Sequence, residues 1–288
     1  MPLIRTEMLT HTYSAGTPFE RTAIRDVNFS VEKGEHLGII GHTGSGKSTF
    51  IQHLNGLLKP ASGHIFYDGQ DIHQSKDFTR RLRFKVGLVF QYPEYQLFET
   101  TVYDDIAFGP KNMGITNSEI RERVHEAAGF AQLSESDLKK SPFELSGGQK
   151  RRAAIAGVIA MRPEALILDE QTAGLDPQGR EEIIANVLSY KKAHNATVIM
   201  VTHSMEEIAR SAGRIVLFDK GRIAMEGTPA SVFSESARLT EMGLTAPKAA
   251  LVAQRLRSLG LPLRCDIYTA AQLRLALNDI KREAESHA

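Results

Sequence analysis

The chain of 288 residues carries 35 basic and 34 acidic side chains, a balance that is not typical of nucleic-acid-binding proteins, which show a basic excess or stripe. The single cysteine, Cys265, excludes an intramolecular disulfide and a cysteine-rich metal site, and it fits a reducing compartment. Residues 1–20 contain no apolar segment of signal-peptide type, and no apolar run approaches the ~18 residues of a spanning helix. Any role at a membrane is therefore expected to be that of a peripheral subunit.

The first part of the chain shows strand patterns on both sides of a glycine-rich segment. Alternation predicts an edge strand, and apolar residues at helical spacing predict a helix after the glycines. A proline ends that helix, and an Asp-Gly pair predicts a tight hairpin turn. These predicted elements are a strand over Leu3–Tyr13, a strand ending at Ile39 and Ile40, a helix from Lys47 to Pro60, and a hairpin on Ile65–Tyr67 with Asp68 and Gly69.

The patterns are helical between about residues 93 and 145, and short apolar strands alternate with helices beyond residue 165. Such alternation predicts a largely parallel α/β sheet. Two amphipathic segments, near Pro247–Leu259 and Ala270–Glu285, predict a small C-terminal domain. The other predicted elements are strands over Leu166–Leu168, Thr197–Val201 and Ile215–Phe218, and helices over Ser118–Leu133, Met205–Ala212 and Pro177–His194, the last with Asp176 as its N-cap.

The glycine-rich segment Gly41–Ser48 satisfies the phosphate-loop pattern and lies between a predicted strand and a predicted helix. Its glycines let backbone N–H groups turn toward phosphate oxygens, and the helix presents its positive end to them. Lys47 is predicted to contact the outer phosphates, and the Ser48 hydroxyl is placed to bind magnesium. A chance match is expected in on the order of one per cent of chains this long, and the strand–loop–helix context makes it rarer.

A second motif, Ala165–Glu170, is an apolar strand that ends in two carboxylates. A buried carboxylate needs a partner, and magnesium supplies one. Asp169 is predicted to hold the metal through water, and Glu170 to orient the water that attacks the terminal phosphorus. A pair of acids at an exposed loop start would be the alternative for this segment alone, but the upstream phosphate loop argues against it.

Four further features have both a structural and a functional interpretation. The segment Leu145–Gln149 precedes a helix, where it either forms a capping box or offers a second phosphate-binding helix end. Gln91 follows the apolar residues Leu88–Phe90 and is either a solvated side chain or a sensor of magnesium and the attacking water. His203 ends a predicted strand and is either a hydrogen-bonded neighbour or a contact of the terminal phosphate. Tyr13 is either a half-buried edge aromatic or a stacking platform for adenine.

The order of these motifs over about Leu3–Gly227 resembles the ATP-binding cassette (ABC) family. The resemblance implies an α/β P-loop NTPase fold, with a RecA-like core, an N-terminal antiparallel β subdomain and an α-helical subdomain. The predicted domains are an ATPase domain over 1–234, with the helical subdomain at about 93–160, and a helical C-terminal extension over 235–288. The matching motifs are the aromatic residue Tyr13, the Walker A loop Gly41–Ser48, the Q-loop Gln91, the signature Leu145–Gln149, the Walker B residues Asp169 and Glu170, the D-loop Ala173–Asp176 and the switch His203.

The resemblance also implies ATP and Mg²⁺ as cofactors and a head-to-tail dimer, in which each nucleotide lies between the Walker A loop of one subunit and the signature helix of the other. The residues that it places in catalysis are Glu170, His203, Lys47 and Gln91. Those that it places on magnesium are Ser48, Gln91 and Asp169. Those that it places on the nucleotide are Tyr13, Gly41, His42, Thr43, Gly44, Ser45, Gly46, Lys47, Ser48, Thr49, Ser146, Gly147, Gly148, Gln149 and Asp176.

A narrower resemblance, to the ATPases of energy-coupling factor (ECF) transporters, is carried by Phe90–Phe98 and by the C-terminal extension. Further matches to the second of the two paired ATPases are His42-Thr43, Gln52–Asn55 and Thr172–Pro177, and Thr101-Val102 and Ala107–Pro110 fit the same class. The resemblance implies a related ATPase as partner, a transmembrane T subunit docked at about Tyr92–Phe98, a substrate-binding S subunit that selects a vitamin or other micronutrient, and a location on the cytoplasmic face of the cell membrane. The aromatic residues of that segment would suit a helix-in-groove contact, unless they belong to the core.

One residue departs from the family pattern. Gln171 stands where the family usually has proline after the catalytic glutamate, and the loss of the ring is expected to release a backbone restraint worth ~0.4–1 kcal/mol. Because Glu170 is retained, hydrolysis is expected to survive.

Two other functions compete with this interpretation. The chain could be the ATPase of another ABC importer or exporter, or a soluble ABC protein acting on ribosomes or DNA.

Overall fold

The structure is a computed structural model that describes residues 1–286 of the chain. The chain forms two compact units, each assembled from discontinuous segments. The first comprises Met1–Glu35 and Ser48–Val201, and the second comprises His36–Lys47 and the chain from Thr202 onward. Within the described residues, no helix is both long and apolar enough to cross a membrane.

The strands of the first unit are β1 (Ile4–Tyr13), β2 (Arg21–Val31), β4 (Ser62–Tyr67), β5 (Gln70–Asp71), β6 (Val86–Val89), β7 (Ala165–Asp169) and β8 (Thr197–Val201). Those of the second are β3 (His36–Ile40), β9 (Arg214–Asp219) and β10 (Arg222–Gly227). The helices up to residue 201 are α1 (Lys47–Leu54), α2 (Lys76–Lys85), α3 (Val102–Met113), α4 (Asn117–Phe130), α5 (Glu135–Leu138), α6 (Gly147–Ile159) and α7 (Pro177–His194), with 3₁₀ turns at Pro93–Gln96 and Pro142–Glu144. The helices after it are α8 (Met205–Ser211), α9 (Pro229–Ser234), α10 (Ser236–Glu241), α11 (Lys248–Ser258) and α12 (Ala270–Ser286).

An antiparallel sheet in the order β2-β1-β4-β5 forms one layer of the first unit. Ile4 pairs with Val31 on one side and with Tyr67 on the other, so β1 is a central strand and the prediction of an edge strand was wrong. The pattern of β2 is mostly exposed at its start, which is why the sequence did not reveal the partner on that side. The hairpin predicted at Asp68-Gly69 is confirmed, since Tyr67 pairs with Gln70 across it.

The strands β6, β7 and β8 form a parallel group in which every residue is buried. Val89 pairs with Leu168, and Leu168 in turn pairs with Met200. The predicted parallel α/β arrangement is therefore confirmed for this group. Because parallel strands end at the same edge, the residues that follow them are brought together there.

The second unit contains β10-β9-β3, in which β9 runs antiparallel to β10 and parallel to β3. Helix α8 packs closely on β3, since a Cβ added to Gly38 would lie 2.7 Å from Ile208 Cδ1. Helices α11 and α12 share a small core of Ala253, Leu263 and Ile267. Helices were predicted in both places, whereas β10, α9 and α10 were not.

Replacing Gly63 by alanine is expected to destabilise the antiparallel sheet. Gly63 has φ +86°, and its Cβ would lie 2.3 Å from Met8 O and 2.5 Å from Glu7 O. We expect the free energy of unfolding to fall by about 2–4 kcal/mol, from left-handed backbone strain and from the clash together. Gly16→Ala is the matched control, because Gly16 has φ +75° with nothing within 4 Å and so reports the strain alone. Equal losses in urea denaturation would contradict the predicted clash.

Candidate functional site

The phosphate loop of the second unit has a backbone that only glycine can adopt. A side chain at Gly41, where φ is +151°, would place its Cβ 2.3 Å from Phe218 O, and Gly44 and Gly46 have φ +80° and +105°. The Ser45 hydroxyl is buried, and it has no hydrogen-bond partner among the described residues. A cradle of turned amides beside an unused buried hydroxyl fits a phosphate group.

The Lys47 ammonium lies inside this loop and is only 6% exposed. Its Nζ donates to Gly41 O at 2.7 Å and to His42 O at 3.0 Å. The His42 ring contacts Asp219 Oδ1 through Nε2 at 3.0 Å and Thr43 O through Nδ1 at 2.8 Å, which fixes the loop against the end of β9. The loop is thus pre-shaped around a buried positive charge, which is the arrangement that an anionic phosphate requires.

Two carboxylates and a glutamine lie at the carboxyl edge of β6 and β7 in the first unit. Asp169 ends β7 and is buried, and Glu170 follows with its backbone in the left-handed region at φ +51°. The Glu170 N–H donates to Val201 O at 2.9 Å, and Gln91 Nε2 donates to Glu170 Oε2 at 3.3 Å. A non-glycine residue with positive φ stores strain, and such residues cluster at functional sites. The structure therefore brings the predicted base and the predicted Q-loop residue together.

The signature segment forms the capped start of α6. Ser146 Oγ accepts from Gln149 N at 3.3 Å and Gln149 Oε1 accepts from Ser146 N at 3.0 Å, so the predicted capping box is confirmed. Gln149 Nε2 also donates to Asp137 Oδ1 at 3.3 Å. Hydrogen bonds from Lys140 and Ser134 lower the pKa of Asp137 to about 2, which keeps that acceptor ionised. Gly147 is exposed, and a Cβ added to it would meet nothing within 4 Å, so capping leaves an open helix end for a phosphate.

Arg151, which the sequence reasoning missed, ties this helix to its neighbours. Its guanidinium is almost buried and donates to Gln171 O at 3.1 Å, to Ala173 O at 2.7 Å and to Glu94 Oε1 at 3.0 Å. Burial alone would raise the pKa of Glu94, but the hydrogen bonds from Arg151 lower it on balance. The spacing of the sequence could have indicated that Arg151 is buried. It lies one helical turn before the buried Ile155 and two turns before the buried Ile159, so the three residues share one face of α6.

The predicted adenine platform, Tyr13, is 41% exposed, and its hydroxyl lies 3.1 Å from Thr49 Oγ1. His11 packs edge-on against the Tyr13 ring at 4.5 Å, and His53 packs against His11 at 4.7 Å. Tyr13 therefore presents an open ring on a supported base, which suits stacking.

The remaining predicted site residues lie at element ends. Ser48 is exposed in the first turn of α1, and Asp176 caps α7 by accepting from Gly179 N at 2.7 Å, as the sequence predicted. His203 is exposed between Val201 and α8 in the second unit.

The predicted magnesium ligands Ser48, Gln91 and Asp169 each offer an oxygen atom, and one of them is a carboxylate. This set suits Mg²⁺ whose coordination is completed by phosphate and water. The described residues contain no cluster of three or more His, Cys, Asp or Glu side chains for a metal.

The segment after Gln91 forms an exposed aromatic surface, which we define as Tyr92, Tyr95 and Phe98 together with the half-buried Leu97. Tyr92 is 49% exposed, Tyr95 85% and Phe98 61%, so the alternative that they are core residues is wrong. Leu97 and Phe98 line an open cavity of about 310 Å³, together with Phe108, whose ring packs edge-on against Phe98 at 5.0 Å. The surface is apolar enough for a helix to bind.

Comparisons with known proteins show the family to which the chain belongs. Residues 24–173 match the family model described as ABC transporter. The chain is 51% identical over 266 residues to a protein of Caldanaerobacter subterraneus subsp. tengcongensis named energy-coupling factor transporter ATP-binding protein EcfA2, covering 92% of this chain and 93% of the relative. The chain is an ABC ATPase of the energy-coupling factor transporter family. A Clostridium tetani protein with the same name is also 51% identical, over 95% of this chain and 96% of its own.

Solved structures show the same cassette fold. The structure of cbiO1 from Clostridium perfringens, described as part of the ABC transporter complex cbiONQ, matches with a TM-score of 0.75 and 38% identity over 90% of this chain and 98% of its own. The ATP-binding cassette MJ0796, in a dimeric post-hydrolysis state bound to ADP and Pi, matches with a TM-score of 0.71 and 28% identity over 78% and 98%. This ABC ATPase therefore has the fold that its motifs predicted.

Acid is expected to destabilise the ABC ATPase through His53. Burial, with His11 close by, lowers the pKa of the fully buried His53 from 6.5 to about 4. Below pH 6.5 the His53 imidazole is therefore protonated in the unfolded chain but neutral in the folded chain. The free energy of unfolding falls as the pH falls toward 4. We expect this histidine to account for roughly 2 kcal/mol of lost stability between pH 7 and pH 5. Urea denaturation at several pH values measures this loss, and His53→Leu should remove that part of the pH dependence. Parallel plots of the free energy of unfolding against pH for the two proteins would contradict the assignment.

Proposed function

We propose that this ABC ATPase powers uptake of a vitamin or other micronutrient as one of two paired ATP-hydrolysing subunits of an energy-coupling factor importer. The observation that carries the proposal is the combination of a complete set of hydrolytic motifs with the exposed aromatic surface directly after Gln91. The hydrolytic motifs are common to ABC ATPases. The aromatic surface and the C-terminal helices distinguish the ECF type from other transport ATPases.

In the proposed reaction, the Walker A loop binds the phosphates of ATP, and the Lys47 ammonium exchanges loop carbonyls for phosphate oxygens. Mg²⁺, when bound by Ser48, Gln91 and Asp169, neutralises charge on those oxygens. Glu170 accepts a proton from the attacking water, and Gln91 holds that carboxylate in place through its 3.3 Å hydrogen bond. His203 contacts the terminal phosphate, and Tyr13 stacks on adenine.

The start of α6 is proposed to complete the site of a second subunit. This chain has two helix ends suited to phosphate, the start of α1 and the start of α6, and a head-to-tail dimer gives each of them a nucleotide. The proposed partner is a related ABC ATPase, as the family resemblance implies, so the dimer would contain two different chains. Asp176, which begins α7, is proposed to lie at the same dimer contact.

The aromatic surface is proposed to dock a helix of a transmembrane T subunit, which in turn holds the substrate-binding S subunit. This docking would place the ATPase on the cytoplasmic face of the cell membrane as a peripheral protein. Arg151 contacts both Glu94 within the docking segment and the D-loop carbonyl of Ala173. A displacement of the docking segment can therefore reach the segment that follows Glu170 through the part-buried hydrogen bonds of Arg151.

Purification of the tagged chain from membranes in mild detergent, with its companions identified by mass, tests this function. We expect a second ABC ATPase of similar size and a multi-spanning membrane protein. Replacing Tyr95 and Phe98 with serine should release the membrane protein while the ATPase pair persists. Recovery with ribosomes or DNA would favour the soluble class of ABC protein. Recovery of only an ordinary two-domain permease would favour another ABC transporter.

A further inference from the structure

The side-chain amide of Gln171 lies against three backbone carbonyls at the hydrolytic edge of the sheet. The residue is 4% exposed, and Nε2 lies 2.7 Å from Phe90 O, 2.9 Å from Asp169 O and 3.2 Å from Val89 O. Two N–H groups are thus shared among three acceptors. If the amide were flipped, its oxygen would face three carbonyl oxygens, and no hydrogen bond could form. The three carbonyls therefore determine which way the amide points.

These hydrogen bonds continue the link between β6 and β7 past the end of their ladder. The last paired residues of the two strands are Val89 and Leu168. Gln91 and Glu170 lie just beyond that pair, and their side chains meet at 3.3 Å. The amide of Gln171 bonds to the carbonyl of Phe90 immediately before Gln91 and to the carbonyl of Asp169 immediately before Glu170. Both peptide units that orient the two functional side chains are therefore held by one side chain.

The backbone at Glu170 needs such support. Its φ of +51° is in the left-handed region, which persists in a non-glycine residue only where the surroundings impose it. The Glu170 N–H is held by Val201 O, and the Gln171 carbonyl is held by Arg151 Nη1 at 3.1 Å. The Gln171 side chain supplies the restraint between these two points. The expectation that glutamine merely releases the restraint of a proline was therefore incomplete, because the amide restrains the segment in another way.

We propose that Gln171 is a positioning residue for ATP hydrolysis, whose amide holds Glu170 against Gln91 in the geometry that activates water. The proposal rests on the proposed role of Glu170 as general base. Gln171 has no direct contact with nucleotide in this proposal, so its loss affects turnover and leaves ATP binding unchanged.

The test compares Gln171→Met, which keeps the size of the side chain and removes the donor, with wild type in the assembled transporter. We expect kcat to fall about ten-fold, since a small displacement of a catalytic group is enough for such a loss, while KM for ATP stays within about two-fold. Gln171→Asn, which keeps the amide but is one methylene too short to bridge the same carbonyls, should act in the same direction and serves if the methionine variant does not assemble. Gln74→Met, the same change at an exposed position, is the matched control.

A double-mutant cycle with Glu170→Gln separates positioning from a general structural role. If Gln171 acts through Glu170, Gln171→Met should lower the residual turnover of Glu170→Gln by less than about two-fold. Wild-type kcat in an assembled Gln171 variant, or an undiminished ten-fold loss in the Glu170→Gln background, would overturn the inference. A failure of the proposed function has a different signature, because Glu170→Gln alone would then leave turnover unchanged.

Discussion

Replacing Glu170 with glutamine is expected to slow ATP hydrolysis by the assembled complex by ~10²-fold or more, while ATP still binds. The change removes the carboxylate that we propose as the proton acceptor for the attacking water, and it keeps the size of the side chain. The change leaves the phosphate loop with the same residues, including Lys47, which donates to Gly41 O and His42 O. Binding of ATP should therefore remain near the wild-type level.

The measurement is steady-state phosphate release beside equilibrium binding of a fluorescent ATP analogue. Glu241→Gln is the matched control, because Glu241 is an exposed glutamate at the end of α10 and should retain full turnover. Unchanged turnover of the Glu170→Gln complex would remove Glu170 from the role of general base. A parallel loss of binding would instead place this carboxylate in nucleotide binding.

Replacing Arg151 with leucine is expected to lower the free energy of unfolding by about 3–5 kcal/mol. The guanidinium is almost buried, and its removal leaves the Glu94 carboxylate and the carbonyls of Gln171 and Ala173 without their donor. An unpaired charge in a buried site carries the full desolvation penalty. The effect should therefore exceed that of a surface ion pair several-fold.

Urea denaturation of three variants checks this prediction. Arg81→Leu removes an exposed ion pair with Asp77, at 67% and 71% side-chain exposure, and should change stability by less than ~1 kcal/mol. Adding Glu94→Leu to Arg151→Leu should recover part of the loss, because no buried charge then remains unpaired. An Arg151→Leu protein as stable as Arg81→Leu would show that the buried network contributes little.

The phosphate loop and the parallel strands could be predicted because their chemistry is local. A phosphate loop needs positive φ at several positions, which the glycines Gly41, Gly44 and Gly46 adopt without steric cost, and an apolar run such as Leu166–Leu168 favours a buried strand by itself. The capping box of Ser146 and Gln149 is also contained in one segment. Such features need no knowledge of distant residues.

The interactions that escaped prediction join residues far apart in the chain. The central position of β1 depends on pairing with β2 and β4, and the pattern of β1 alone does not distinguish an edge strand from a central one. Arg151 reaches Glu94 across 57 positions, and Gln171 reaches Phe90 across 81. An arginine or glutamine within an apolar stretch of sequence indicates that a hydrogen-bond acceptor lies nearby in the folded chain. Only the fold identifies that acceptor.

The specific ATPase activity measured across a dilution series tests the central claim, that this chain provides half of each nucleotide site. We expect hydrolysis per chain to fall as dilution separates the subunits, and to be restored by adding the paired ATPase with an intact signature segment. A partner whose signature serine is replaced by arginine should bind without restoring activity. Constant activity per chain down to concentrations where light scattering shows only single subunits would contradict the claim, because one chain would then contain a complete site.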